Sequence, residues 1–270
     1  EKGTYRLCDD PMDEGLKDYL SPEELATLDN YDNNKDRKGE IFYQFATAIP
    51  IGTALGQSFN EDMVELFADI IGREMEIFNI NLLLAPGVNI HRNPLCGRNF
   101  EYYSEDPLLS GLLASEYVKG VQSENILACP KHFACNNNEK WRYVGDSVID
   151  ERALREIYLK GFEIVVKNAN QKMMMTSYKQ INEEFACENK HTHYDILRNE
   201  WAFDGLSMSD WGGMHDRDVA LINGQDLEMP GCVDDNINKI IEGYKDGRIP
   251  EEMSDKSVER ILRCIDETKD

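Results

Sequence analysis

Short apolar runs that stop at proline, glycine or a charged residue recur along this chain, each trailed by a stretch of helical period. Asn79 to Ala85 breaks at Pro86-Gly87. Ile126 to Cys129 ends in Pro130-Lys131-His132-Phe133. Met173 to Thr176, Leu206 to Ser209 and Leu227 to Met229 follow the same plan, and Phe45 to Leu55 reads as strand and turn. Strands this uniformly apolar have both faces covered, which points to a parallel sheet wrapped by helices. The count is about six, short of the eight that close a barrel.

The intervening stretches carry their own start signals. Asn60 stands before Met63, Leu66, Phe67, Ile70 and Ile71, an i, i+3, i+4 pattern predicting an apolar face. Asp106 precedes Pro107 and a helix burying Leu109, Leu112, Leu113 and Val121. Asp150 opens another helix, and a further one surrounds Tyr194, Ile196 and Leu197. Two closing helices present Ile237, Ile240, Ile241 and Tyr244, then Val258, Ile261, Leu262 and Ile265. Residues 1–40 read as an irregular segment, with a short helix at Ser21-Pro22-Glu23-Glu24 and an exposed loop from Asn30 to Lys38; residues 41–270 read as one domain.

Charge narrows the partners. With 29 basic and 51 acidic side chains the formal net charge is −22, so phosphate backbones and anionic lipid are repelled. A neutral ligand fits better than nucleic acid or a membrane surface. No apolar run approaches the roughly 18 residues that span a bilayer. The seven cysteines, Cys8, Cys96, Cys129, Cys135, Cys187, Cys232 and Cys264, are odd in number and include no C-x-x-C pair. They read as buried thiols of a cytoplasmic protein. The first residues contain no signal peptide and no initiator Met, as expected of a processed or excised piece.

In a sheet of this kind, working side chains sit where strands end. Arg98 lies in Gly97-Arg98-Asn99-Phe100-Glu101, Lys131 and His132 follow one strand, and Arg142 follows Asn136-Asn137-Asn138. Tyr178 follows another strand, and Asp210 and Trp211 end the next. Several donors around one carboxylate, flanked by aromatics, suit a polyhydroxylated neutral ligand. Each has a structural alternative. Asp210 can cap a turn, His132 can be a satisfied core histidine, and Arg98 can pair with Glu101 or Glu105. The five histidines show no metal-ligand spacing, His191-x-His193 reads as a solvated loop, and no glycine-rich phosphate loop follows a strand; no cofactor is expected.

Taken together, Leu84-Ala85-Pro86-Gly87-Val88-Asn89-Ile90, the run from Gly97 to Pro107, Lys131-His132-Phe133-Ala134, Met175-Thr176-Ser177-Tyr178, Trp201 to Gly205 and Ser209-Asp210-Trp211-Gly212 resemble the N-terminal barrel of glycoside hydrolase family three, the β-glucosidase group. The blocks keep the family's order and spacing over residues 45–232. The resemblance implies a TIM-like (β/α) barrel and a carbohydrate substrate. It makes Asp210 the nucleophile, Arg98, Lys131, His132, Arg142 and Tyr178 the sugar-binding donors, and Trp211 the aromatic beside the nucleophile. It further implies a retaining mechanism, with a second carboxyl about 5–5.5 Å away as acid and base. The cations Lys131, Arg98 and Arg142 would keep Asp210 ionised.

Departures from the family pattern shape the expectation. The D-G-P motif that ends the family's first strand is absent, so the barrel is expected to be incomplete. The acid/base Glu of most members belongs to a second domain beyond this length, and the loop after Lys131-His132-Phe133 carries Asn136-Asn137-Asn138-Glu139 in place of the His-Asp pair of one subgroup. Lys179 and Glu183 stand where the family usually has Asn and Gly. The expected function is therefore a β-glucosidase-like hydrolase, impaired on its own. The alternatives are a non-catalytic sugar-binding remnant, or one chain of a split enzyme whose partner, or a second copy, covers the truncated barrel.

Overall fold

The computed structural model describes residues 2–4, 43–231 and 234–268. The expected helix at 21–24, the loop at 30–38, and Cys8 and Cys232 lie outside the described residues. The chain divides into two compact units, 1–48 and 49–270. In the first, β1 (Lys2–Thr4) pairs antiparallel with β2 (Tyr43–Phe45), Lys2 opposite Phe45.

The second unit is built on parallel pairing. β3 (Leu82–Leu83) lies beside β4 (Leu127–Ala128), and Gly87 bridges to Lys131 at the start of β5 (Lys131–Phe133). β5 pairs with β7 (Met173–Thr176), which pairs with β10 (Leu206–Met208), and Met208 bridges to Leu227. Five chain segments thus run side by side in sequence order among the described residues. A small mixed sheet stands apart: β6 (Asp146–Ser147) is parallel to β8 (Gln180–Ile181), which turns back into β9 (Glu184–Phe185).

The strand alternation explains the unbroken apolar runs. Met174 packs with Phe133, Phe162 and Ile196 on one side of β7, while Met173 and Met175 pack with Leu127, Leu206 and Met208 on the other. Both faces are therefore dry.

The sixth expected strand is a different structure. After β2 the chain forms a helix, α1 (Gly52–Ser58), instead of a strand running to Leu55. Its Thr53 hydroxyl donates to the carbonyls of Asn99 and Tyr102 at 2.7 and 3.2 Å, a tertiary tie invisible to local pattern.

The helix caps fall where the side chains indicate. Asn60 Oδ1 accepts from Met63 N at the start of α2 (Glu61–Ile77), and Asp106 Oδ1 from Leu108 N at the start of α3 (Pro107–Gln122). Asp150 caps a helical run in three pieces: a turn at Glu151–Ala153, a wider-pitched segment at Leu154–Tyr158, and α4 (Lys160–Ala169). α5 (Lys190–Glu200) is also wide-pitched and capped by Asn189. The buried face of α2 is rotated from the expected one: Val64, Ala68 and Met75 are buried, and Leu66 is exposed. The rotation follows from α3. A Cβ on Gly120 would stand 2.4 Å from Glu65 O, and one on Gly111 would stand 2.8 Å from Ile164 Cβ. α3 thus lies close against both α2 and α4, and small residues set which faces meet.

α6 (Arg217–Ile222), α7 (Asp234–Lys245) and α8 (Glu251–Glu267) complete the chain. Here the apolar residues expected to be buried are partly outside: Ile237 and Ile241 on α7, and Val258, Leu262 and Ile265 on α8, are exposed. His193 is also corrected. It is fully buried within α5, Nδ1 on the carbonyl of Asn223 at 2.7 Å and Nε2 on Ser207 Oγ at 2.8 Å. Only its neighbour His191 is at the surface, against Glu151. The five described cysteines, Cys96, Cys129, Cys135, Cys187 and Cys264, are free and buried. No helix among the described residues is long and apolar enough to cross a membrane.

Candidate active site

The carboxyl ends of the parallel strands deliver one polar cluster. Asp210 follows β10 and is buried. Oδ1 accepts from Trp211 N at 2.8 Å, and the turn closes with Gly213 N on the Asp210 carbonyl at 3.0 Å. Oδ2 is buried and accepts no hydrogen bond. Two groups from other loops face it: His132 Nε2 at 3.5 Å and Arg142 Nη2 at 4.0 Å. Both distances exceed those of a good hydrogen bond, so an oxygen with free lone pairs sits between a ring N–H and a cation.

His132 is held on every side. Asn89, just past β3, accepts from His132 N through Oδ1 at 2.7 Å and donates to its carbonyl through Nδ2 at 2.9 Å. The ring stands in a relay. Asn136 Nδ2 donates to Tyr102 Oη at 2.9 Å, which leaves the phenol proton for His132 Nδ1 at 3.2 Å. With Nδ1 accepting, Nε2 carries the proton and points it at Asp210. Burial, reinforced by the charges of Arg98, Lys131 and Arg142, holds the His132 pKa well below the usual histidine range. The imidazole is neutral at physiological pH.

Arg142 reaches the site from the loop after β5. Its guanidinium carbon lies 4.4 Å from the centre of the Tyr178 ring, and Nη1 pairs with Glu139 at 3.2 Å. Glu139 also accepts from Asn136 at 3.1 Å, so Glu139 joins the relay through His132 and the arginine facing Asp210. Tyr178 is buried beside Asp210, and burial together with that carboxylate raises its phenol pKa. Lys179, next to it, is buried too, its ammonium donating to the Lys140 carbonyl at 3.3 Å; burial lowers its pKa against the opposing pull of Glu139.

Arg98 and Lys131 take a different partner. Both pair with Glu101, Arg98 through Nε and Lys131 through Nζ at 3.2 Å. The two cations share this one acid in a rim next to His132 that keeps a single excess positive charge, rather than aiming two charges at Asp210. Trp211 is 44% exposed, leaving its ring available beside the carboxylate. Asn89, Glu101, Tyr102 and Asn136 were not among the expected site residues. Glu101 had a local signal in its i, i+3 spacing from Arg98; Asn89 had none, because its partner is 43 residues away.

Comparison with known proteins places the chain in a family. The model for the glycosyl hydrolase family 3 N-terminal domain matches residues 33–264. A thermostable beta-glucosidase B from Acetivibrio thermocellus is 46% identical over 220 residues, covering 82% of this chain and 29% of that protein. An exo-alpha-(1->6)-L-arabinopyranosidase from Bifidobacterium breve is 41% identical over 224 residues, 83% of this chain and 29% of its own length. Among solved structures, beta-glucosidase 3B from Thermotoga neapolitana in complex with alpha-D-glucose superimposes with a TM-score of 0.82 at 42% identity, over 86% of this chain and 33% of that one. The chain thus spans less than a third of the length of these curated relatives. With the family model matched along most of the sequence, this chain belongs to glycosyl hydrolase family 3, to whose N-terminal domain it corresponds.

Proposed function

We propose that the chain carries the nucleophile half of a retaining β-glucosidase, with Asp210 as nucleophile. The observation that carries this reading is the buried Asp210 Oδ2, free of hydrogen bonds and faced by His132 Nε2–H and Arg142. Its lone pair attacks the anomeric carbon, the bond to the leaving oxygen breaks, and that oxygen takes a proton from a second carboxyl. Water, deprotonated by the same carboxyl, then releases the sugar. Arg98, Lys131, His132, Arg142 and Tyr178 serve as donors to the sugar hydroxyls, and Trp211 as the ring on which it stacks.

The groups facing Asp210 Oδ2, a neutral imidazole and a guanidinium, are not acids that replace the second carboxyl. We propose that it is contributed by another part of the assembly, and that this chain alone is slow on unactivated glycosides. Loss of a general acid/base costs about 10²–10⁴-fold in rate. The barrel is proposed to be open at β3, whose pairing among the described residues is with β4 alone. A groove of about 220 Å³ lined by Ile49, Pro50, Ile51, Ala85, Pro86 and Tyr103 adjoins that segment. The exposed apolar rows of α7 and α8 support self-association or a partner chain over the open part. The buried free thiols fit a cytoplasmic setting.

The test is intact-mass and peptide mapping after incubation with an activated 2-deoxy-2-fluoro-glucoside. A glycosyl adduct on Asp210, absent in Asp210→Ala, is the expected result. If no activated glycoside labels the protein while glucose still binds, the non-catalytic sugar-binding reading replaces this one.

A further inference from the structure

Beyond the proposed nucleophile site, and resting on that reading, we infer that the segment Trp141–Arg142–Tyr143 forms a leaving-group subsite that takes a planar aromatic ring. Arg142 ties the segment to the carboxylate, 4.0 Å from Asp210 Oδ2. Its guanidinium packs on Tyr178, and Tyr143 meets Tyr178 edge to face, ring centres 4.7 Å apart at 68°, its own centre 5.6 Å from the Arg142 carbon. Tyr178 is buried and Tyr143 is 44% exposed, so the aromatic contacts run from the carboxylate outward and end in an open ring.

Its neighbours extend that surface. Trp141 is 67% and Val144 63% exposed. Trp141 is held at φ +57°, a left-handed conformation that bulky residues rarely adopt. Val144 N and Gly145 N both donate to its carbonyl, at 3.1 and 2.6 Å, closing the turn that keeps the indole outside. A strained backbone that exposes a large ring beside Arg142, the residue facing the carboxylate, costs stability and gains nothing in the core.

The chemistry of the segment selects the ligand class. Its one cation is already paired with Glu139. What it offers outward is two rings and the Val144 isopropyl group, with the Trp141 indole N–H and the Tyr143 hydroxyl as its two polar side-chain groups at the surface. A second sugar presents several hydroxyls that would lose water without partners, whereas an aryl leaving group loses none.

Calorimetric titration of the full chain with methyl, phenyl and cellobiosyl β-glucosides tests this. Phenyl β-glucoside should bind roughly 2- to 12-fold more tightly than methyl, the range of one aromatic stacking contact. Tyr143→Ala and Trp141→Ala should each reduce that advantage and leave methyl glucoside binding unchanged; Tyr143→Phe should retain it. Equal binding of phenyl and methyl glucosides would overturn the subsite alone, as would a cellobiosyl advantage matching or exceeding the phenyl one. Binding of none of the three would remove the glycosidase reading and this inference with it.

Discussion

Asn89 grips the peptide groups of His132 from both sides, accepting from its N–H at 2.7 Å and donating to its carbonyl at 2.9 Å. The imidazole that faces Asp210 is thereby positioned by a residue from a neighbouring strand end. Both bonds are buried, so Asn89→Leu leaves a donor and an acceptor unpaired at about 1–3 kcal/mol each. Urea unfolding should show a loss of about 2–5 kcal/mol, and sugar affinity should fall as His132 loses its position. A loss below about 1 kcal/mol would mean that water replaces Asn89.

The two buried histidines predict acid sensitivity. His132 is held well below the usual range by burial and by the cations around it, and His193 is lowered to about 3 by burial and by Arg198. Unfolding returns both to an ordinary pKa near 6.5. Below that value the unfolded chain binds protons that the folded chain refuses, so stability is complete above about pH 6.5 and falls as pH drops toward the folded values. Each histidine contributes up to about 1.4 kcal/mol per pH unit in that window. Denaturant midpoints at pH 7, 6 and 5 measure the slope. His193→Gln should flatten it by up to half, whatever it does to stability at pH 7.

Asp226 lies at the centre of a buried charge cluster. Oδ2 accepts from Arg198 Nη2 at 2.7 Å and Ser207 N at 2.8 Å, and Oδ1 from Arg260 Nη1 at 3.0 Å. Asp226→Ala strands the buried Arg198 guanidinium, whereas half-buried Arg260 keeps Asp204 at 3.5 Å. A loss of about 3–5 kcal/mol is expected, and the protein should express mostly unfolded. The double variant Asp226→Ala/Arg198→Met should recover part of the loss, because the stranded charge is gone.

Glu183 offers the opposite opportunity. The hairpin joining β8 and β9 turns through Asn182 and Glu183, both at positive φ, 52° and 76°. That geometry favours Asn-Gly, and a side chain in the left-handed region costs about 1–2 kcal/mol. The Glu183 N–H bond to Asp146 is made by backbone and survives substitution. Glu183→Gly should therefore raise stability, read as a higher melting temperature, by about 0.5–1 kcal/mol, less than the strain relieved because glycine loses more chain entropy on folding.

The amino-acid order was enough to specify the local grammar. Asn60, Asp106 and Asp150 cap their helices because a short side-chain oxygen before an amphipathic run satisfies amide groups within three residues. Met173–Thr176 and Leu206–Met208 were legible as buried parallel strands because covering both faces removes any alternation. The motif blocks also carried the family, since the spacing of side chains along a chain is a property of sequence alone. Pairing across the fold was decided elsewhere. Nothing local joins Asn89 to His132, sends Lys131 to Glu101, or draws His193 inward to Ser207; those bonds link groups that only strand order brings within 4 Å. The same holds for burial. Periodicity places Val258, Leu262 and Ile265 on one side of α8, but a helix buries an apolar side only where another surface meets it, and in this structure those three side chains face outward.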